Sequence, residues 1–119
     1  MIQAIYDEQH RCLANQIQVP SSHWAKMRGL LLYRQIPKGF AMIFEHVRQI
    51  HMFFMAFPID LVHVDANMKV IHCQTIKPWR IGPYIRETRW IIEAPQGTFS
   101  QVSLGDQLYF KREGGDFQT

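Results

Sequence analysis

No run of apolar residues in this 119-residue chain approaches the roughly 18 that a membrane-spanning helix needs, which excludes a helical membrane protein. Nor do three basic residues occur in a row: the thirteen Lys and Arg are scattered, so a net charge of +3 leaves no concentrated patch for nucleic acid. The only two cysteines, Cys12 and Cys73, make neither a CxxC pair nor a metal-ligand spacing, and they read as reduced thiols rather than a disulfide. GxGxxG, GxxxxGK[ST] and GxSxG are all missing, which removes the phosphate-cradling loops and the nucleophile elbow built on them. There are no internal repeats and no low-complexity tracts. The opening residues MIQAIYDEQHRCLA carry two acids and no apolar block, so a secretory signal is not expected and a cytoplasmic location follows by default.

What is present describes a folded globular protein: 47% hydrophobic residues, 13% aromatic, and a length that suits one domain over 1–119. Ile2 to Ile5 and Leu13 to Val19 read as strands, with Ile17 and Val19 alternating against Gln16 and Gln18. Pro20 stops the extended run. Ser21 or Ser22 then caps a short helix that places Trp24, Met27, Leu30 and Leu31 on one side. Ile36 to Gly39 reads as a type I turn with Gly39 fourth, feeding a strand from Phe40 to Phe44. Ile59 to Val64 and Val70 to Ile76 form a hairpin, and Trp90 to Ala94 and Leu108 to Lys111 complete the strands. The stretch KPWRIGPYIRETR has two prolines and a glycine and reads as a loop across the sheet, while the polar tail 113–119 is expected to fray. Many short strands with one early helix predict an all-β fold, a jelly-roll-like sandwich or barrel with one short α-helix in its N-terminal third.

Several segments, taken in order, resemble a family. They are Arg28-Gly29-Leu30, then Gly39 with Met42 and Phe44, HMFFMAFPIDLVHVD from His51 to Asp65, Lys77-Pro78-Trp79-Arg80, WIIEAPQG from Trp90 to Gly97, and Gly105-Asp106. Together they are similar to DUF192, small bacterial and archaeal proteins of unknown function, in the branch patterned H-T-x-x-M-x-F-P-I-D, K-P-W-R and L-E-x-P-x-G. The resemblance covers nearly the whole chain and implies a compact β-sandwich of jelly-roll type with a short helix. The chain departs from the pattern at Met52, where Thr or Ser is usual, and at Ala56, where Arg, Lys or Asn is frequent. His63 stands where Phe is common, and Ala66-Asn67-Met68 stands where an acid and Gly are frequent.

The candidate site residues are His51, Phe54, Met55, Asp60, Trp79, Arg80 and Glu93. Asp60 and Glu93 are acids embedded in apolar β segments, and if they share a cleft they suit acid–base work. The plainer reading has Asp60 capping backbone amides behind Pro58, with Glu93 paired to Arg80 or Arg86. Trp79 and Arg80 offer a flat apolar face and a forked donor, as a sugar ring or a carboxylate requires; otherwise Trp79 plugs the end of the sandwich. With Asp65 opposite Val70, His63 faces His72 across the hairpin, close enough for two imidazoles to share a metal, although the alternation puts both on the wetter face as solvated side chains. His51 matches the family's histidine and is either functional or a strand-end anchor. These residues point to a non-catalytic protein that binds a small ligand such as a carbohydrate or carboxylate, with no cofactor. The alternatives are an accessory protein with a protein partner or self-association through Phe53-Phe54, and a hydrolase using metal or carboxylate.

Overall fold

Period-two alternation in short apolar segments becomes two β-sheets. The computed structural model describes residues 2–19, 37–50, 57–112 and 117–118. Within them the strands are β1 (Ile2–Tyr6), β2 (Cys12–Ala14), β3 (Gln16–Gln18), β4 (Phe40–Glu45), β5 (Ile59–Val64), β6 (Val70–Ile76), β7 (Trp90–Pro95), β8 (Tyr109–Arg112) and β9 (Phe117–Gln118). One sheet has the order β2-β1-β8-β9 and the other β3-β4-β7-β5-β6. All pairings are antiparallel except β3 with β4.

Two open sheets correct the expectation of a jelly-roll-like sandwich or barrel with one short helix. The described residues contain no helix and no closed barrel. The helix expected after Ser21 lies outside the described residues. The run from Leu13 to Val19 is not one strand either, because the chain bends at Asn15 and changes sheets: Ala14 pairs with Ile5 of β1, whereas Gln16 pairs with Phe40 of β4. The amides of Asn15 and Gln16 both donate to the Gly39 carbonyl, at 2.9 Å each, so the corner keeps its backbone partners while it turns. Gly39 sits at the third position of the turn closed by Phe40 N–H on Pro37 O, with φ of 89°. Positive φ at that position is a type II requirement, one step out of register with the expected type I turn. In the tail expected to fray, Phe117 and Gln118 pair with Lys111 and Phe110.

Between the sheets, Ile2, Ile5, Ala14 and Phe110 meet Ala41, Ile43, Val62, Val64, Ile92 and Ala94. The five-stranded sheet is also apolar on its outer face, where Met42, Phe44, Ile59, Leu61, Ile76 and Ile91 pack with Ile50, Val47 and Phe57. This second layer buries β5 on both sides, at all six of its positions. Trp90 meets Phe110 edge-on with ring centroids 5.4 Å apart, tying the two sheets across the inner core. Phe110→Ala is expected to cost about 3–5 kcal/mol, the range for removing a buried aromatic. Urea melts read this directly, and a loss below about 1 kcal/mol would mean that the inner core does not depend on that ring.

Candidate functional site

Asp60 is buried, and both of its carboxylate oxygens are engaged. Thr75 donates its hydroxyl to Oδ1 at 2.8 Å, and the amides of Gly97 and Phe99 donate to Oδ2 at 3.0 Å each. Asp60 caps backbone amides as its plainer reading holds, but they belong to the turn after β7 and not to the residues behind Pro58. That turn needs Gly97 at φ of 95°, and the carboxylate holds it against the sheet. Asp60→Ala strands two amides and a hydroxyl, with an expected loss of about 3 kcal/mol. Chemical denaturation near neutral pH measures it, and a change under about 1 kcal/mol would contradict the anchoring role.

Register decides whether the two acids share a cleft. Asp60 lies opposite Ala94 and Glu93 lies opposite Leu61, so adjacent positions of the β5–β7 ladder send the two carboxylates to opposite faces of the sheet. Glu93 belongs to the outer layer beside Met42 and Leu61 and is fully buried there. Arg86 lies at the surface 4.0 Å from Glu87, and Arg80 is exposed without a hydrogen bond or ion pair to any described residue. The expected pairing of Glu93 with Arg80 or Arg86 is therefore not formed, because both arginines sit on the loop's solvent side.

Residues 77–89 lie over the outer face and are fastened to the segment after β4. Gly82 N–H donates to Ile50 O at 2.9 Å, Ile85 N–H to Arg48 O at 3.2 Å, Gln49 Nε2 to Gly82 O and Arg48 Nε to Arg86 O at 3.0 Å each. A Cβ at Gly82 would stand 3.4 Å from Ile50 O and from a Leu61 methyl, so this close approach has little spare room. Pro78 and Pro83 stiffen the same stretch. Above these ties the loop displays Trp79 (59% exposed), Ile81 (60%) and Tyr84 (62%), three of the five large apolar side chains most exposed among the described residues. Trp79 has φ of 65°, a left-handed conformation that costs a bulky residue roughly 1–2 kcal/mol. An indole so exposed does not plug the end of the sandwich. Lys77, Arg80 and Arg86 are exposed in the same stretch, 77–89, in which Glu87 is the single acid. Ile81 and Tyr84 escaped the sequence reading because exposure in a loop leaves no periodic signal. His51, Phe54 and Met55 lie outside the described residues.

His63 and His72 do face each other, with ring centroids 5.6 Å apart in an edge-on contact. The ladder slips by one residue between His63 and Val64, so Val64 lies opposite Val70, but the two histidines keep the expected pairing. His63 is not solvated as expected: it has no exposed surface, because the loop lies above it and Thr88 Oγ1 sits 2.7 Å from its Nδ1. His72, near the sheet edge, is half-buried and hydrogen-bonded through Nε2 to Gln74 Oε1. Burial pushes the His63 imidazole down to about 4, and the neighbouring His72 adds to the shift. The unfolded chain protonates this histidine near 6.5 while the folded one resists to about 4, so stability falls as pH drops through that window. The full loss is about 3 kcal/mol. Denaturant melts of native protein and His63→Phe between about pH 7 and pH 4 isolate it: the variant is expected to lose less, and equal losses would contradict the assignment.

Cys12 is exposed and Cys73 half-buried, both as free thiols. Burial pushes the Cys73 thiol up, helped by Asp60 and Asp106, so it is poorly suited to act as a nucleophile. A cleft of about 600 Å³ lies among Cys12, Leu13, Lys38, Gly39 and the turn at Gln96–Gly97. A second, of about 400 Å³, lies beside Asp60, Cys73 and Thr75. Neither of these two clefts is lined by Trp79 or Arg80. No helix among the described residues is long and apolar enough to cross a membrane.

The chain is similar to uncharacterised archaeal proteins. A UPF0127 protein of Pyrococcus horikoshii is 39% identical over 61 residues, 50% of this chain and 53% of that protein, so the chain spans about half of that relative's length. A UPF0127 protein of Thermococcus sibiricus is 26% identical over 106 residues, 82% of this chain and 68% of that one. Among solved structures, a candidate transcription regulator from Sinorhizobium meliloti shares the fold with a TM-score of 0.70 at 19% identity, covering 90% of each chain. A protein of unknown function from Novosphingobium aromaticivorans shares it at the same TM-score and 16% identity, covering 88% of this chain and 81% of that one. Residues 4–110 match the model of the family described as "Uncharacterized ACR", and the chain belongs to that family, DUF192.

Proposed function

We propose that this protein is a non-catalytic binding protein whose contact surface is the loop carrying Trp79, Arg80, Ile81 and Tyr84, and that its partner is a protein with an apolar patch bordered by acids. The supporting observation is that three exposed large apolar side chains crowd into six residues of one loop whose base is tied down by four hydrogen bonds. Trp, Tyr and Arg dominate the energetics of protein interfaces, and a loop ordered beforehand loses less entropy on binding. The exposed Lys77, Arg80 and Arg86 of the same stretch favour an acidic counterpart. Small-molecule sites are usually concave, which ranks the protein partner above the small ligand suggested by residue type alone. A carboxylate-bearing saccharide is the second reading, favoured by the indole of Trp79 next to the guanidinium of Arg80. Acid–base catalysis by a carboxylate pair draws no support from two acids on opposite faces.

Affinity capture from lysate with native protein, Trp79→Ala and Arg80→Ala tests the reading, with a glycan array alongside. Each variant is expected to weaken capture of the same partner by about thirtyfold, equivalent to about 2 kcal/mol. Trp79→Gly relieves the left-handed backbone and should keep the native melting temperature while losing the partner, which separates binding from folding. Capture unchanged in all three variants would overturn the proposal. Loss of an acidic glycan signal, with no protein partner affected, would move the site to the second reading.

A further inference from the structure

We propose that His63 and His72 form a binding site for a late first-row divalent cation, Zn²⁺ or Cu²⁺, on the outer face of the β5–β6 ladder. The two residues are directly opposite, and their ring centroids stand 5.6 Å apart. Two imidazoles bound to one metal at about 2.0–2.1 Å with a near-tetrahedral angle hold their centroids about 5 Å apart, so the rings already stand near the spacing a shared ion imposes.

Each ring is held through one nitrogen. Nδ1 of His63 meets Thr88 Oγ1 at 2.7 Å, while its Nε2 is buried without a hydrogen-bond partner among the described residues. A buried, unsatisfied ring nitrogen is uncommon and calls for an explanation. In the tautomer that donates Nδ1–H to Thr88, Nε2 carries a lone pair and no proton, as a ligand must. His72 is likewise held through one nitrogen, Nε2, by Gln74 Oε1, and in the proposed site its Nδ1 is the ligand. A metal-binding histidine typically has its second nitrogen fixed by a neighbouring oxygen, and here both have one.

The donor set selects the cation. Two imidazoles suit Zn²⁺ and Cu²⁺ and disfavour Mg²⁺ and Ca²⁺, which take oxygen ligands. No group of three or more His, Cys, Asp or Glu placed to hold a metal ion is found among the described residues, so the proposed site has two protein ligands there and would take water at its remaining positions. The half-buried His72 on the edge strand β6 offers the path by which an ion reaches the buried His63. His63 is fully buried among apolar neighbours, so His63→Phe, which keeps a flat ring there, is a substitution the fold should accommodate.

Equilibrium dialysis against Zn²⁺ tests the proposal, using protein carrying Cys12→Ser to remove the exposed thiol. The expected result is one ion per chain, with affinity falling about tenfold or more in His63→Phe and in His72→Ala. Cu²⁺ loaded into the same protein should show electron-spin hyperfine structure from two nitrogens, reduced to one in each variant. Absence of stoichiometric binding, or binding equal in the parent and both variants, would overturn it. Should His63→Phe fail to fold, His72→Ala decides alone, because that residue is half-buried at the sheet edge and its loss leaves the core intact.

Discussion

Burial of β5 on both faces is the constraint from which the rest of this structure follows. Ile59, Leu61 and His63 project into the outer layer, while Asp60, Val62 and Val64 project toward the second sheet. A strand in that position has no solvent face, so every polar side chain on it must find a protein partner. Asp60 does so by holding Thr75 and the turn after β7, and His63 does so through Thr88. The two polar side chains of the strand therefore secure different neighbours, one under each face.

Through the outer layer the same constraint reaches the surface. The loop over His63 is fixed at its far end by Arg89 N–H on Val64 O at 2.8 Å, and Arg89 Nη2 reaches Glu45 at 2.8 Å. The loop presents Trp79 and Ile81 just before the tie at Gly82, and Tyr84 between that tie and the next at Ile85, all outward on a backbone held from below. A set of apolar side chains on a tethered loop loses little freedom when a partner covers it, which is the physical basis for reading this surface as a contact site.

Much of this was legible in the sequence where period-two alternation and turn chemistry coincide. The β5–β6 hairpin and the His63–His72 opposition follow from counting across the turn, and the one-residue slip falls on the turn side of His63, so the pairing survives it. Burial was not legible in the same way. Alternation assigns His63 to a wet face because it assumes a single core, and it cannot see the layer that residues 46–50 and 77–89 place on the other side. The change of sheet at Asn15 was also hidden, since a strand that leaves one sheet for another keeps the same pattern. Asp60 and Glu93 looked alike as acids in apolar strands, and only the register to β7 separates their faces. Exposure of Ile81 and Tyr84 is set by tertiary ties, which local sequence does not encode.

Amide hydrogen exchange of the free protein tests most directly whether the loop is held before any partner arrives. The account predicts that Val62 and Val64 in β5 exchange at the global limit, and that the Gly82 and Ile85 amides, bonded to Ile50 O and Arg48 O, are slowed about a hundredfold or more over an open chain. Exchange of Gly82 and Ile85 at unprotected rates would show the loop to be unfastened, and would contradict a preformed contact surface built on a doubly buried strand.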